Sequence, residues 1–341
     1  MTSPHTRFRL PDELSASAPP EARGLARDEV RLLVAGPNGV RHTTFAALGE
    51  HLRAGDLLVV NTSGTLPAAI DARRGGGEVV VHFSTELDDG AWVVELRAPG
   101  GPLLDGRPGE RLELPAGASL TLLAPYVSGA RRLWRASVTV EGDVVPFLTS
   151  LGRPIRYGYV PRAWPLGDYQ TVFAREPGSA EMPSAARPFT PELVTRLVTD
   201  GVLFAPLLLH TGVSSLEAGE PPLAERFRVP ATTAALVSWV RGRGGRVIAV
   251  GTTAARALES AGSDTGEVTA ASGWTDLVLG PDRPARLVDG IITGLHAPEA
   301  SHLLLLEAVA GAALVQRAYD AALERRYLWH EFGDVSLLLR R

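Results

Sequence analysis

Apolar and polar positions along this chain fall into two textures. Continuous apolar runs at 57–60, 202–209 and 247–250 have the pattern of strands buried on both faces of a parallel sheet. Helical stretches alternate with them. Thr190 with Pro191 opens a helix to about Asp200, 231–241 forms another, and 302–328 reads as one long helical region. A strand at 30–34 leads into a hairpin turn at Pro37-Asn38-Gly39. Thr43 or Thr44 then caps a short helix through Leu52. The residues 277–279, 287–288, 291–293 and 335–339 are further strand candidates. Residues 7–23 suit an extended arm on the main body.

From about Ala68 the texture changes. Short strand-like runs recur at 69–73, 78–83, 92–98, 111–114, 119–123 and 133–140, separated by turns such as Arg74-Gly75-Gly76-Gly77 and Pro99-Gly100-Gly101-Pro102. That spacing predicts a small antiparallel barrel or sandwich. A Pro-rich, aromatic stretch at 152–174 leads back, either as a connector or as a loop shaping a site. The expected architecture is an α/β main domain, 1–60 and 152–341, interrupted by an inserted all-β small-barrel domain, 61–151.

Composition narrows the chemistry. The 341 residues are 45% hydrophobic, enough for a core, and the formal net charge of −4 argues against a general nucleic-acid binder. There is no cysteine, and all 34 basic side chains are arginine. Disulfides, thiolate chemistry, a Schiff-base lysine and a phosphate-loop lysine are therefore excluded. The amino-terminal stretch lacks an apolar signal core, and no run reaches membrane-span length. A cytoplasmic protein is expected, with no membrane partner and as a monomer or weak homo-oligomer.

The chemistry-bearing stretch is Arg246 to Ser260, RVIAVGTTAARALES. An apolar strand breaks at Gly251, Thr252 or Thr253 caps a helix, and Arg256 and Glu259 share one helix face. Such a unit lies at the carboxyl edge of a sheet, where open α/β sheets bind ligands. Two other strands end in polar residues, at Leu209-His210-Thr211-Gly212 and Thr293-Gly294-Leu295-His296. His210 and His296 are the proton-transfer candidates; the plainer reading has each satisfying a backbone carbonyl at a strand end. The other six histidines, His302 and His330 included, read as surface or packing residues. Asp276 and Asp334 follow Gly-Trp-Thr and Phe-Gly, and either contact a ribose or heterocycle or make a turn. Arg131, Arg132 and Arg135 around Trp134 read as a solvated face before an RNA contact. No metal-binding or Gly-x-Ser-x-Gly signature is present, so no metal is expected.

On these residues the chain resembles the S-adenosylmethionine:tRNA ribosyltransferase-isomerase family of the queuosine pathway. The resemblance rests on GDLLVVNT at 55–62, DYQTVFA at 168–174, LLHTG at 208–212, RVIAVGTTAARALES, GWTDL at 273–277, the stretch 288–311 and FGD at 332–334. It implies an α/β domain with an inserted β-barrel. The reaction it implies transfers the ribosyl part of S-adenosylmethionine to the aminomethyl group of a 7-deazaguanine base in tRNA, with adenine and methionine leaving. S-adenosylmethionine is then a co-substrate. By resemblance, His210 and His296, with Asp276, are the proton carriers. Gly251, Thr252, Thr253, Arg256 and Glu259 hold the donor, with Arg256 near the methionine carboxylate. Tyr169, Gln170, Thr171, Thr275, Glu299 and Asp334 line the same pocket.

The chain also departs from the family pattern. Both arginines of the block at 61–70 are gone, replaced by Gly64 and Ala69. The block at 182–189 has lost its histidine, with Arg187 and Pro188 near its place. The block at 222–225 keeps Glu225 without its histidine, and Gly294 stands for an asparagine. An arginine bidentate to phosphate is not replaced by Gly or Ala without losing charge-assisted bonds. The first reading is thus a paralogue that binds S-adenosylmethionine with altered acceptor recognition, using a small-molecule acceptor or cleaving the donor. The second is the family's own tRNA reaction, and the third a catalytically silent protein that binds an adenosyl ligand or RNA.

Overall fold

Alternation within the strands explains the layering of the main domain. In Val247–Val250, Val247 and Ala249 join one apolar layer, while Ile248 and Val250 join the opposite one. Neighbouring strands divide in the same way, so the sheet is covered on both faces, as parallel sheets require. The first layer packs on Ala231–Gly242, Thr252–Ser260, Ser301–Ala310 and Ala312–Glu324. The second packs on Phe45–His51 and Pro191–Thr199. The computed structural model describes residues 3–213 and 223–340.

The main sheet has nine strands in the spatial order Ala271–Thr275, Glu225–Val229, Leu203–Leu209, Leu57–Asn61, Val247–Val250, Gly290–Gly294, Val335–Leu339, Arg31–Gly36 and Gly39–Thr44. The four from Leu203–Leu209 to Gly290–Gly294 run parallel, and Val335–Leu339 runs antiparallel to the last of them. The carboxyl ends of the four therefore share an edge with the amino end of Val335–Leu339.

The second domain is a closed antiparallel barrel. Leu133–Thr139, Ser119–Pro125, Arg111–Glu113, Ala69–Arg74, Gly77–Glu86 and Trp92–Ala98 pair in turn, and Leu133–Thr139 pairs with Trp92–Ala98 to close it. Phe83, Trp92, Leu112, Leu120 and Trp134 are among the residues of its core. The barrel strands begin at Ala69. Asn61 and the short strand Ser63–Thr65 stay with the main domain, the latter in a parallel ladder with Glu176–Ser179.

Several expectations are corrected. The helical region at 302–328 is two helices, Ser301–Ala310 and Ala312–Glu324, broken at Gly311 with φ 84°. Residues 277–279 and 287–288 are not strands. The N–H groups of Leu287 and Val288 go instead to the Glu259 carboxylate, at 2.8 and 3.1 Å. Thr44 ends a strand and makes no side-chain cap to the 3-10 turn that follows. Arg132 is buried and donates to Glu95 at 2.8 Å, so it is no solvated face. Burial pushes the Glu95 carboxylate up, but its contacts with His82, Arg132 and Arg97 hold it down at about 2.

Candidate active site

Gly251 ends its strand at φ 96°, a conformation that favours glycine, and turns the chain directly into Thr252–Ser260. Gly251 itself is the helix cap, and neither Thr252 nor Thr253 caps by its side chain. This turn opens onto a cavity of about 870 Å³ between the sheet edge and the barrel. Thr252, Thr253, Arg256, Thr293, Gly294 and His296 come from the sheet side. Ser84 and Thr85 come from the barrel, where a register shift between Phe83 and Thr85 lets consecutive residues reach the same wall. Asn61 stitches the strand ends: its side chain bonds both backbone groups of Leu209 and, at 3.3 Å, the Thr253 hydroxyl.

His296 is the histidine on the wall that is fixed most firmly. Its Nε2 lies 2.9 Å from the Thr293 hydroxyl, its N–H donates to the Tyr319 hydroxyl, and its carbonyl accepts from Trp329. Its ring stacks on His302 with centroids 4.5 Å apart. Burial first, then the neighbouring His302 and His330, pushes its pKa well below the usual imidazole value. It stays a neutral imidazole near pH 7. Glu299 and His330, also on the wall, are non-glycine residues with φ of 64° and 72°. Backbone strain of this kind concentrates at functional sites.

Arg256 reaches the wall with its guanidinium already ordered. It donates to the carbonyls of Leu277 (2.9 Å), Leu223 (3.0 Å) and Thr275 (3.1 Å), and to Glu225 at 2.6 Å. Burial pushes the Glu225 pKa up, and Arg256 counters it. Thr275 is off the wall and acts on the site through this carbonyl, with its hydroxyl against Ser260.

Seven of the expected residues line the cavity: Tyr169, Gly251, Thr252, Thr253, Arg256, His296 and Glu299. The others are engaged elsewhere. Glu259 is buried, and its carboxylate accepts the N–H groups of Arg286, Leu287 and Val288. Asp334 accepts from the Arg31 guanidinium and from the N–H groups of Arg31 and Leu328. The Gln170 amide pairs with both backbone groups of Thr65. Thr171 is buried away from the cavity, and Asp276 is exposed outside it. His210 bonds the buried Ser63 at 2.7 Å, and Gly178 packs on its ring so closely that a Cβ there would lie 2.4 Å away. Burial pulls His210 down to about 4. Its side chain thus meets Ser63 rather than a backbone carbonyl, and it does not line the cavity.

The wall also carries residues that the sequence patterns did not single out for chemistry. These are Tyr157, Tyr159, Glu181, His302, His330 and Glu331. The aromatic composition of 152–174 signalled the two tyrosines. Glu331, next to the Phe-Gly-Asp turn, had no periodic or motif signal. Burial pushes it up to about 6.

A two-domain α/β protein with an inserted barrel, and with polar strand ends facing a cavity between the two, is the class that fold and site define. Comparison with known proteins gives the family. The model of the queuosine biosynthesis protein family matches residues 4–338, and the chain belongs to that family. It is 35% identical to the S-adenosylmethionine:tRNA ribosyltransferase-isomerase of Symbiobacterium thermophilum, over 97% of this chain and 98% of the relative. It is 34% identical to the protein of the same name from Thermotoga maritima, again over 97% and 98%. The crystal structure of S-adenosylmethionine tRNA ribosyltransferase from Thermotoga maritima superposes with a TM-score of 0.55 at 30% identity, covering 97% of this chain and 99% of that one. By their name these relatives are both transferases and isomerases. Among the described residues, no helix is long and apolar enough to cross a membrane.

Proposed function

We propose that the cavity binds S-adenosylmethionine and performs the transferase-isomerase reaction for which the relatives are named, on a tRNA base bearing an aminomethyl group. One observation carries the reading: family membership spans nearly the whole chain, and the Gly-Thr-Thr-x-x-Arg block, Gly251 to Arg256, opens onto the cavity. A sulfonium acidifies the adjacent ribose methylene, so a single neutral base suffices to begin. His296, neutral and held by Thr293, serves as that base. Arg256 takes the methionine carboxylate in a charge-assisted pair, exchanging part of its contact with Glu225. The ordered guanidinium loses little conformational entropy on binding.

A second reading, altered acceptor recognition with a small-molecule amine, is favoured by the block at 61–70. Gly64 packs on the Pro177 backbone and Ala69 is buried at the first barrel strand, so neither position offers a cation to a phosphate. Leu223 occupies the site of a family histidine and lends only its carbonyl, to Arg256; Pro222 lies outside the described residues. Full-length similarity to proteins named for tRNA ranks the tRNA reading first. The two separate when adenine and methionine are followed with S-adenosylmethionine alone, with the free deazaguanine amine added, with unmodified tRNA, and with tRNA carrying the deazaguanine amine. Release confined to the last supports the tRNA reading, and release with the free base alone supports the second.

A further inference from the structure

His302 is a cavity-wall histidine that the proposed reaction leaves without a task, although it lies against His296. The chain between the two rings explains how they meet. Ala297, Pro298, Glu299 and Ala300 form a turn, closed by the Ala300 N–H on the Ala297 carbonyl at 3.3 Å. Pro298 suits the second position of such a turn. Its third, where glycine is the usual residue, is Glu299 at φ 64°. The helix Ser301–Ala310 starts directly after the turn, so His302, in the first turn of that helix, lies back over His296. The two rings are 4.5 Å apart between centroids and 4° from parallel. A backbone conformation that glutamate rarely adopts is thus kept where it brings two imidazoles face to face.

The Thr293 hydroxyl meets His296 Nε2 at 2.9 Å, which by itself leaves the ring free to turn about that contact. The face of His302 sets the remaining angle. Nδ1 of His296 has no partner among the described residues and is not enclosed, so it is open to the cavity. We propose that His302 is a positioning residue for the base: its ring holds the plane of His296 so that Nε2 carries the ring hydrogen against Thr293 and Nδ1 is presented bare to the donor. The inference rests on His296 being the base of the proposed reaction. In that step a C–H bond of the ribose methylene beside the sulfonium breaks, its electron pair stays on carbon, and the proton goes to Nδ1. Two charged imidazoles stacked in this way would repel, so the pair has room for one proton only if His302 stays neutral. Burial first, then the Arg256 guanidinium, pulls the His302 pKa below the usual imidazole value. Its place in the first turn of a helix also disfavours a cation. His330, and Tyr319 through the His296 N–H, are the other titratable groups against the pair, with Glu299 in the turn between the rings.

The test reads the His296 ring itself and needs no turnover. Wild type, His302→Phe and His302→Ala, each labelled with heavy nitrogen in the histidines, are observed by nuclear magnetic resonance. The His296 signals are assigned by their loss in His296→Gln, and unshifted signals from the distant histidines show that each variant is folded. Wild type and His302→Phe, which keeps a flat ring, are expected to hold one tautomer with the hydrogen on Nε2. His302→Ala is expected to show both tautomers in exchange. In adenine release, His302→Ala should lower kcat about tenfold with KM for S-adenosylmethionine within about twofold, and His302→Phe should restore most of the loss. An unchanged His296 tautomer in His302→Ala, or both tautomers already present in wild type, overturns the positioning role. So does a His302→Phe protein no more active than His302→Ala, since the imidazole itself would then be the group required. Failure of His296 as base has a different signature: the tautomers behave as expected, while wild type releases no adenine or His296→Gln releases it undiminished.

Discussion

At the scale of single residues, Arg256 shows how one side chain serves both fold and site. Its guanidinium links Leu223, Glu225, Thr275 and Leu277, the first two near one strand and the last two near another. Arg256→Ala removes the proposed partner of the methionine carboxylate and should weaken S-adenosylmethionine binding by about 1.5–3 kcal/mol in calorimetry. Unchanged affinity would refute that role. The same change leaves the part-buried Glu225 with the Gly212 N–H but without its cation, and urea unfolding should show a loss of about 1–3 kcal/mol. Adding Glu225→Gln should restore part of the stability and none of the affinity. Two titrating groups give opposite pH signatures. Glu331 has a pKa of about 6 in the fold against 4.5 as the ordinary value. The folded protein therefore binds more protons over that window, and stability falls by about 2 kcal/mol as pH rises through it. Glu331→Gln should be the more stable protein above that window and should lose its advantage below it. His210, at about 4 against 6.5, behaves in reverse. The unfolded chain binds more protons there, so its contribution is complete above 6.5 and is lost, by about 3 kcal/mol, as pH falls towards 4. A His210→Gln variant should lack that acid-sensitive component in unfolding curves.

At the scale of elements, what could be read in advance was whatever has a period or a turn. The four buried parallel strands, the six barrel strands and the Pro37-Asn38-Gly39 hairpin all have such signals. Residues 287–288 failed as a strand because their N–H groups go to a side chain. Leu287 and Val288 are apolar and buried, yet their N–H groups point at Glu259. No local pattern announces that a carboxylate on a helix will collect the amides of a loop. The same reasoning reassigns Glu259 from donor contact to loop anchor. Glu259→Gln replaces a charged acceptor by a weaker one with an NH2 in the wrong place, and should cost about 2 kcal/mol of stability in denaturant melts. S-adenosylmethionine affinity should change much less, and a binding loss without a stability loss would return Glu259 to the site. Gly311 gives the complementary lesson: a helical pattern continued across it, and its φ of 84° broke the helix. His210 and His296 end strands in equivalent fashion in the sequence. The packing of Gly178 and Ser63 around one, and the open cavity beside the other, give them different surroundings.

At the scale of the molecule, the cavity takes its walls from both domains, and this explains how much of the site was hidden. The sheet-edge half was legible because strand ends carry motifs. The connector and barrel half, with Tyr157, Tyr159, Glu181 and Ser84, is assembled only when the barrel docks. On the proposed reading, the net charge of −4 requires tRNA phosphates to be met by local arginines rather than by the charge of the whole chain. The central claim, an S-adenosylmethionine-dependent transferase-isomerase acting on tRNA, is tested most directly by the nucleosides of the product. Purified protein, S-adenosylmethionine and a tRNA bearing the aminomethyl deazaguanine base are incubated, and the digested tRNA is analysed by mass spectrometry. The account predicts that the base gains the ribosyl-derived group in step with adenine release. Adenine released while the tRNA base stays unchanged, or neither adenine nor a modified base appearing, would contradict it.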